Sequence, residues 1–184
     1  PIKVDVRVLA ATHRDLRRLV QDELVDELQQ WLLPLPEERP RFLRALAEQA
    51  IGCTPSLGWL GNFVYDGGHR YPHTIDLKMR GVRPFVDSAR IYALRHGVGL
   101  TNTMERLRAV GPIDQRSPSD TVASIEALEV IQRLRLQRQL AGGELDEVNR
   151  VNPTALTAPQ KMMLKEAFRQ AKLLQLRLQQ AFLS

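Results

Sequence analysis

The stretch HTIDLKMRGVRPFVDSARIYALRHG, residues 73–97, concentrates polar side chains that could bind charge on segments that must also bury Phe85, Val86, Ile91 and Leu94. Asp76 and Lys78 lie two apart. On an extended strand they face one side and can make an ion pair or contact a ligand. On the helix that follows, Val86, Arg90 and Ala93 form one row at spacings of four and three, which puts Arg90 close to the core. A buried arginine needs an acceptor, because an unpaired buried charge is costly; Asp76, Asp87 or a neighbouring helix can supply it. Farther on, Ile125, Leu128, Gln132, Arg135 and Gln139 follow one side of a long helical segment. Two helices that each lean a polar stretch inward could line one cleft for a substrate or partner. The same residues could instead form an arginine, carboxylate and amide network that fixes the architecture, or be unlinked surface charge.

Other chemistry is missing from the sequence. No G-x-x-x-x-G-K-[ST] loop, G-x-G-x-x-G, C-x-x-C, H-E-x-x-H or G-x-S-x-G occurs. His69 and His73 are four apart, but in a Gly/Pro loop and not on a helix that would aim both at one ion, so no metal site is expected. No acid–base pair is evident, and no catalytic residue is assigned. The single cysteine, Cys53, excludes an internal disulfide framework and reads as a small buried residue. No apolar run approaches the roughly 20 residues that span a bilayer, and the charged, alternating start is unlike a signal peptide. A cytoplasmic chain with no membrane partner is therefore expected. The start at Pro1 suggests part of a longer protein.

The balance of 26 Lys+Arg against 21 Asp+Glu, with a pI near 9.8, permits an anionic partner. The arginines are spread along several helices and not gathered into a stripe, so nucleic acid is not the expected partner.

The elements that must position these residues make a mainly α chain: a helical bundle with a small β-hairpin-like excursion and an N-terminal strand. Apolar periodicity and punctuation predict helices over about 13–33, 40–51, 84–97, 102–110, 117–141 and 157–183, and β-like runs over 2–9, 62–66 and 74–80, within one domain covering 1–184. Pro34 and Pro36 should stop the first helix, and Gly52 should give the second a left-handed cap. Ser117 with Pro118 and Asp120, and Thr157 with Gln160, have the spacing of helix caps. Gly111-Pro112 should end the helix that opens at Asn102. The segment DVRVLAATHRDL resembles a strand-to-loop piece of sigma-factor-activating AAA+ ATPases over about 12 residues, but without a phosphate loop it reads as a strand and a helix start.

Three blocks in order, IDLKMRGVRPFVDSARIYALRHGVGLTNTMERL, RLQRQLAGGELDEVN and NPTALTAPQKMMLKEAF, resemble the nucleotidyltransferase substrate-binding domain family over about residues 74–182. In that family the domain follows a nucleotidyltransferase domain, often behind CBS or cyclic-nucleotide-binding modules, in bacterial signalling proteins similar to PII uridylyltransferases. The matching polar positions are Asp76, Lys78, Arg90, Arg95, Asn102, Thr103, Arg106, Arg135, Gln139 and Asn149. The sequence departs from the family at Ala10-Ala11-Thr12, where a glycine is usual.

The resemblance implies an accessory domain, non-catalytic by itself and without a cofactor of its own. Its parent enzyme would use a nucleoside triphosphate and Mg. Its partners would be a catalytic domain, in cis or in trans, and an acceptor of unknown identity. Arg90, Arg95 and Arg106 would contact phosphate or an acidic partner, with Asp76 and Lys78 orienting the loop. The alternative is a regulatory or dimerisation module without ligand, in which the long helices pair with another subunit.

Overall fold

A computed structural model describes residues 24–143 and 147–183. The expected strand over 2–9 and the first part of the helix over 13–33 lie outside them. The described chain runs α1 (Leu24–Leu32), α2 (Leu35–Glu38), α3 (Pro40–Ile51), β1 (Ile75–Asp76), a π-helical turn (Lys78–Val82), α4 (Arg83–Arg95), α5 (Thr103–Ile113), α6 (Pro118–Leu140), β2 (Arg150–Val151), a 3-10 turn (Pro153–Ala155) and α7 (Ala158–Phe182). The architecture is mainly α. Among the described residues no helix is long and apolar enough to cross a membrane.

Local chemistry sets the helix starts. Ser117 Oγ accepts from the Asp120 amide at 3.0 Å, and Pro118 in the first turn needs no donor partner. Thr157 and Gln160 form a reciprocal capping box at the head of α7. Asn102 Oδ1 takes the amides of Met104 and Glu105 at the head of α5.

Burial then fixes the arrangement. Helix α7 is the shared spine: its Leu164, Phe168 and Leu174 join Phe85, Leu128 and Ile131 in one core cluster, while Leu178 joins Leu43, Ile91 and Val110 in a second. Each such side chain contributes about 1.5–3 kcal/mol by leaving water. Gly81 lets the start of α4 approach α6, since a Cβ there would lie 2.8 Å from Ile131 Cγ2.

Several expectations are corrected. The run 74–80 is extended only over Ile75–Asp76 and then coils directly into α4. Its partner is Arg150–Val151, antiparallel, and not residues 62–66. Residues 62–66 make one isolated bridge, Leu57 to Phe63, although the Asp66 amide does reach Thr74 O at 3.1 Å to close the loop between them.

Helix α5 continues through Gly111 and Pro112 to Ile113. A proline in the last turn removes a single intrahelical donor there, and Gly111 has no side chain to obstruct Thr121, whose Oγ1 would lie 2.4 Å from a Cβ. Gly52 is right-handed, with φ −62°, so the expected left-handed cap is absent. The end of α3 is satisfied from another helix, as described below. Pro34 and Pro36 do not end helical structure altogether, because α2 follows at once.

Candidate functional site

Between the outer face of α7 and residues 51–66 runs an open groove of about 890 Å³. Ile51, Leu57, Val64, Leu173 and Leu176 give it an apolar lining, and Arg80, Arg169 and Lys172 add positive charge against one acid, Asp66. Polar contacts of long sequence range hold its far wall. Gln175, 8% exposed, donates from Nε2 to Ala50 O at 3.0 Å and to Cys53 O at 2.9 Å. It thereby adds a donor to the Ala50 carbonyl, which also accepts from the Cys53 amide at 3.3 Å, and supplies one to Cys53 O just past the end of α3. Lys172 Nζ donates to Leu57 O, and Phe63 meets Phe168 edge-on at 6.4 Å.

Asp66 is the junction of the excursion. Its carboxylate accepts from Arg80 Nε, Arg150 Nη1 and the Asp76 amide, each at 3.0 Å. The same Arg150 lies over the Tyr71 ring at 5.1 Å, so β2 and the loop 66–76 are stapled together. Beyond the groove the chain turns tightly, with the Gly58 amide donating to Asn62 O at 2.7 Å. The tip carries Trp59 and Leu60 at 97% and 85% exposure.

The polar residues singled out from sequence fall into separate groups, none of which lines this groove. Asp76 Oδ1 accepts from the amides of Lys78 and Met79 at 2.8 and 3.0 Å, so it caps the helical run that leads into α4 and does not share a strand face with Lys78. Lys78 is exposed.

Arg90 is not near the core: its side chain is 52% exposed and sits 3.9 Å from Asp87. Phe85, Ala89, Ile91 and Ala93 of α4 are buried, while Arg90 stands on its open side. Arg106 donates from Nε to Leu100 O, and burial, followed by the charge of Arg90, lowers its pKa. Asn102 is the α5 cap and Thr103 its first residue. Arg95 is exposed and lies over the Phe182 ring at 5.2 Å.

Arg135, Gln139 and Asn149 do come together. Arg135 Nε and Gln139 Nε2 donate to Asn149 Oδ1 at 2.6 and 3.3 Å, and Arg135 Nη1 to Gln132 Oε1 at 3.3 Å. This geometry is a network tying α6 to the segment before β2. Arg90 on α4 pairs with Asp87 of its own helix, so the two helices do not lean polar stretches into one cleft.

A second polar cluster had no distinctive motif. Arg116, its side chain 4% exposed, pairs with Asp114 at 3.2 Å and lies 4.5 Å from the Tyr92 ring centre. Asp114 also meets His96 Nε2 at 2.7 Å, which joins the ends of α4 and α5. Burial raises the Tyr92 phenol pKa, and the Arg116 charge opposes that rise. Nearby, Arg177 on α7 pairs with Asp120 at 2.9 Å.

No group of three or more His, Cys, Asp or Glu suited to a metal exists among the described residues. His73 instead packs edge-on against Tyr65 at 5.4 Å. Of the groove residues, Gln175 left a readable signal: it interrupts the row Leu164, Phe168, Ala171, Gln175 and Leu178, where apolar residues otherwise recur at core spacing.

Over residues 40–182 the sequence matches the profile of the family described as "Putative nucleotidyltransferase substrate binding domain". No curated protein and no solved structure matches the chain.

Proposed function

This chain belongs to the nucleotidyltransferase substrate-binding domain family, and from that premise we propose that it holds the acceptor of a nucleotidyl transfer in the groove beside α7. The supporting observation is the groove itself, about 890 Å³ with an apolar lining and three basic side chains. Clefts of this size, with a few fixed polar groups, are the usual form of a binding site. Holding an acceptor in one orientation turns an encounter of two molecules into a step within one complex. The nucleoside triphosphate and its magnesium belong, in this reading, to a catalytic domain joined in cis or in trans. Arg90 and Arg95, both exposed, together with Arg106, offer that domain or a phosphate a separate cationic contact. The parent would be a bacterial signalling enzyme, and the setting cytoplasmic.

Thermal melting tests the groove. An acceptor that binds only the folded chain raises its melting temperature. The panel comprises nucleoside triphosphates, their magnesium complexes and small-molecule acceptors, each added to the wild-type chain and to Leu176→Glu. Leu176 lines the groove and is 50% exposed, so introducing a carboxylate there should spare the fold. A shift present in the wild type and lost in the variant supports the reading; a shift that survives in the variant moves the site elsewhere.

A second reading, a protein-docking or dimerisation module without a ligand, is favoured by one observation, the exposure of Trp59 and Leu60 at the end of a constrained turn. Sedimentation equilibrium of the wild type and Trp59→Ala tests self-association through this turn.

A further inference from the structure

We infer that the occupant of the groove is a polypeptide segment that combines apolar residues with aspartate or glutamate. This inference rests on the groove being the acceptor site. The charged and amide groups that could read a small polar molecule are largely committed, Gln175 to Ala50 and Cys53, Lys172 to Leu57, and Asp66 to Arg80 and Arg150, while Thr54, Ser56, Tyr65 and Gln179 add only neutral polar atoms to the lining. What the groove still offers is apolar surface and a positive field, with three cations in its lining against one acid. The Arg169–Glu166 pair does not cancel that field firmly, because both side chains are more than half exposed and such pairs exchange readily with solvent or a partner.

The length also suits a chain segment. Groove residues on α7 run from Arg169 to Gln179, about 15 Å of helix at 1.5 Å per residue. That accommodates four or five extended residues or about ten helical ones. The Trp59–Leu60 tip continues the apolar surface outward, since Leu57 and Val64 on either side of it line the groove. Arg169 lies against the same turn: its Nη2 would be 3.8 Å from a Cβ on Gly61. One basic side chain therefore stands where the exposed tip meets the groove, the place at which an acidic residue of the segment would pair.

The test is selection of a phage-displayed random dodecapeptide library on the immobilised wild-type chain, with counter-selection on Arg169→Glu and on Trp59→Ala. Both substituted side chains are exposed, so each variant should fold, which its melting curve checks. The expected result is enrichment of peptides carrying apolar and acidic residues together. A synthetic copy of an enriched peptide should bind at least about tenfold more weakly to Arg169→Glu, weaken as salt rises, and shift Trp59 emission to the blue in a Trp31→Phe background.

Enrichment of basic peptides, no enrichment over the variants, or affinity indifferent to Arg169→Glu overturns the inference. A small-molecule acceptor whose melting shift is lost in Leu176→Glu also overturns it, while keeping the groove as the acceptor site. Absence of both peptide and small-molecule binding removes the inference and the acceptor reading together.

Discussion

Replacing Gln175 with leucine shortens the side chain by one atom and removes the donor to Ala50 O, which also accepts from the Cys53 amide, and to Cys53 O. An intramolecular hydrogen bond contributes roughly 0.5–1.5 kcal/mol net, and a buried acceptor left without a donor costs about 1–3 kcal/mol. Ala50 O keeps the Cys53 amide and loses only the net value of one bond, and Cys53 O, partly buried, is left unpaired at the lower end of that cost, together about 2 kcal/mol. Leucine recovers about 1 kcal/mol of this through added apolar burial, leaving a net destabilisation of about 1 kcal/mol. For a chain of this size, at roughly 2–4 °C per kcal/mol, the melting temperature should fall by about 2–4 °C.

Gln175→Glu sharpens the test. A carboxylate would face two carbonyl oxygens, and desolvation and repulsion would raise the pKa of the introduced group above its ordinary value of about 4.3. A folded-state pKa above the unfolded one means that the stability linked to the protonated form is present below about pH 4.3 and is lost as pH rises through the folded value. The deficit of Gln175→Glu should therefore be smaller at pH 4 than at pH 8, read by differential scanning calorimetry. A leucine variant that melts within about 1 °C of wild type, or a glutamate variant with one deficit at both pH values, would refute the assignment of Gln175 as the cap of α3.

Gly81→Ala should cost about 1–3 kcal/mol in urea unfolding, because the new methyl would lie 2.8 Å from Ile131 Cγ2; combined with Ile131→Ala, which removes that atom, its added cost should fall towards zero. Arg90→Ala should change stability by less than about 0.5 kcal/mol, as expected for an exposed pair, whereas Arg135→Ala should cost about 1–2 kcal/mol through its bonds to Asn149 and Gln132. Equal effects at the two arginines would contradict their placement.

The hydrogen bond from Arg177 holds the Asp120 carboxyl below its ordinary 3.8. A depressed folded pKa gives stability that is present above 3.8 and lost as pH falls through the folded value, so the melting difference between wild type and Arg177→Gln should close as pH drops below 3.8. A difference that persists at lower pH would show that Arg177 acts through packing alone.

What could be read from sequence was what local chemistry decides. The caps at Ser117 and Thr157 depend on atoms three residues away, and each is where its spacing put it. Partner choice over long range was not legible. Alternation in 74–80 indicated an extended run but could not specify that Ile75–Asp76 would pair with Arg150–Val151, because any half-buried edge satisfies a period of two. The Asp66–Arg150 bond spans 84 residues, and no local pattern marks either end.

Arg90 exposes a limit of row arguments. Spacings of three and four identify which residues share a side of a helix, but the neighbouring helices decide whether that side is covered. On α4, Ala93 is 1% exposed while Arg90 in the same row stands in solvent. Gln175 is the converse case, since a row of core positions interrupted by one amide was there to be read. A buried amide requires partners, and such an interruption implies a backbone segment docked against the helix. That segment, residues 50–53, adjoins the wall of the groove, so the clue in the sequence that leads to the proposed acceptor site was a polar residue in an apolar row and not a cluster of charges.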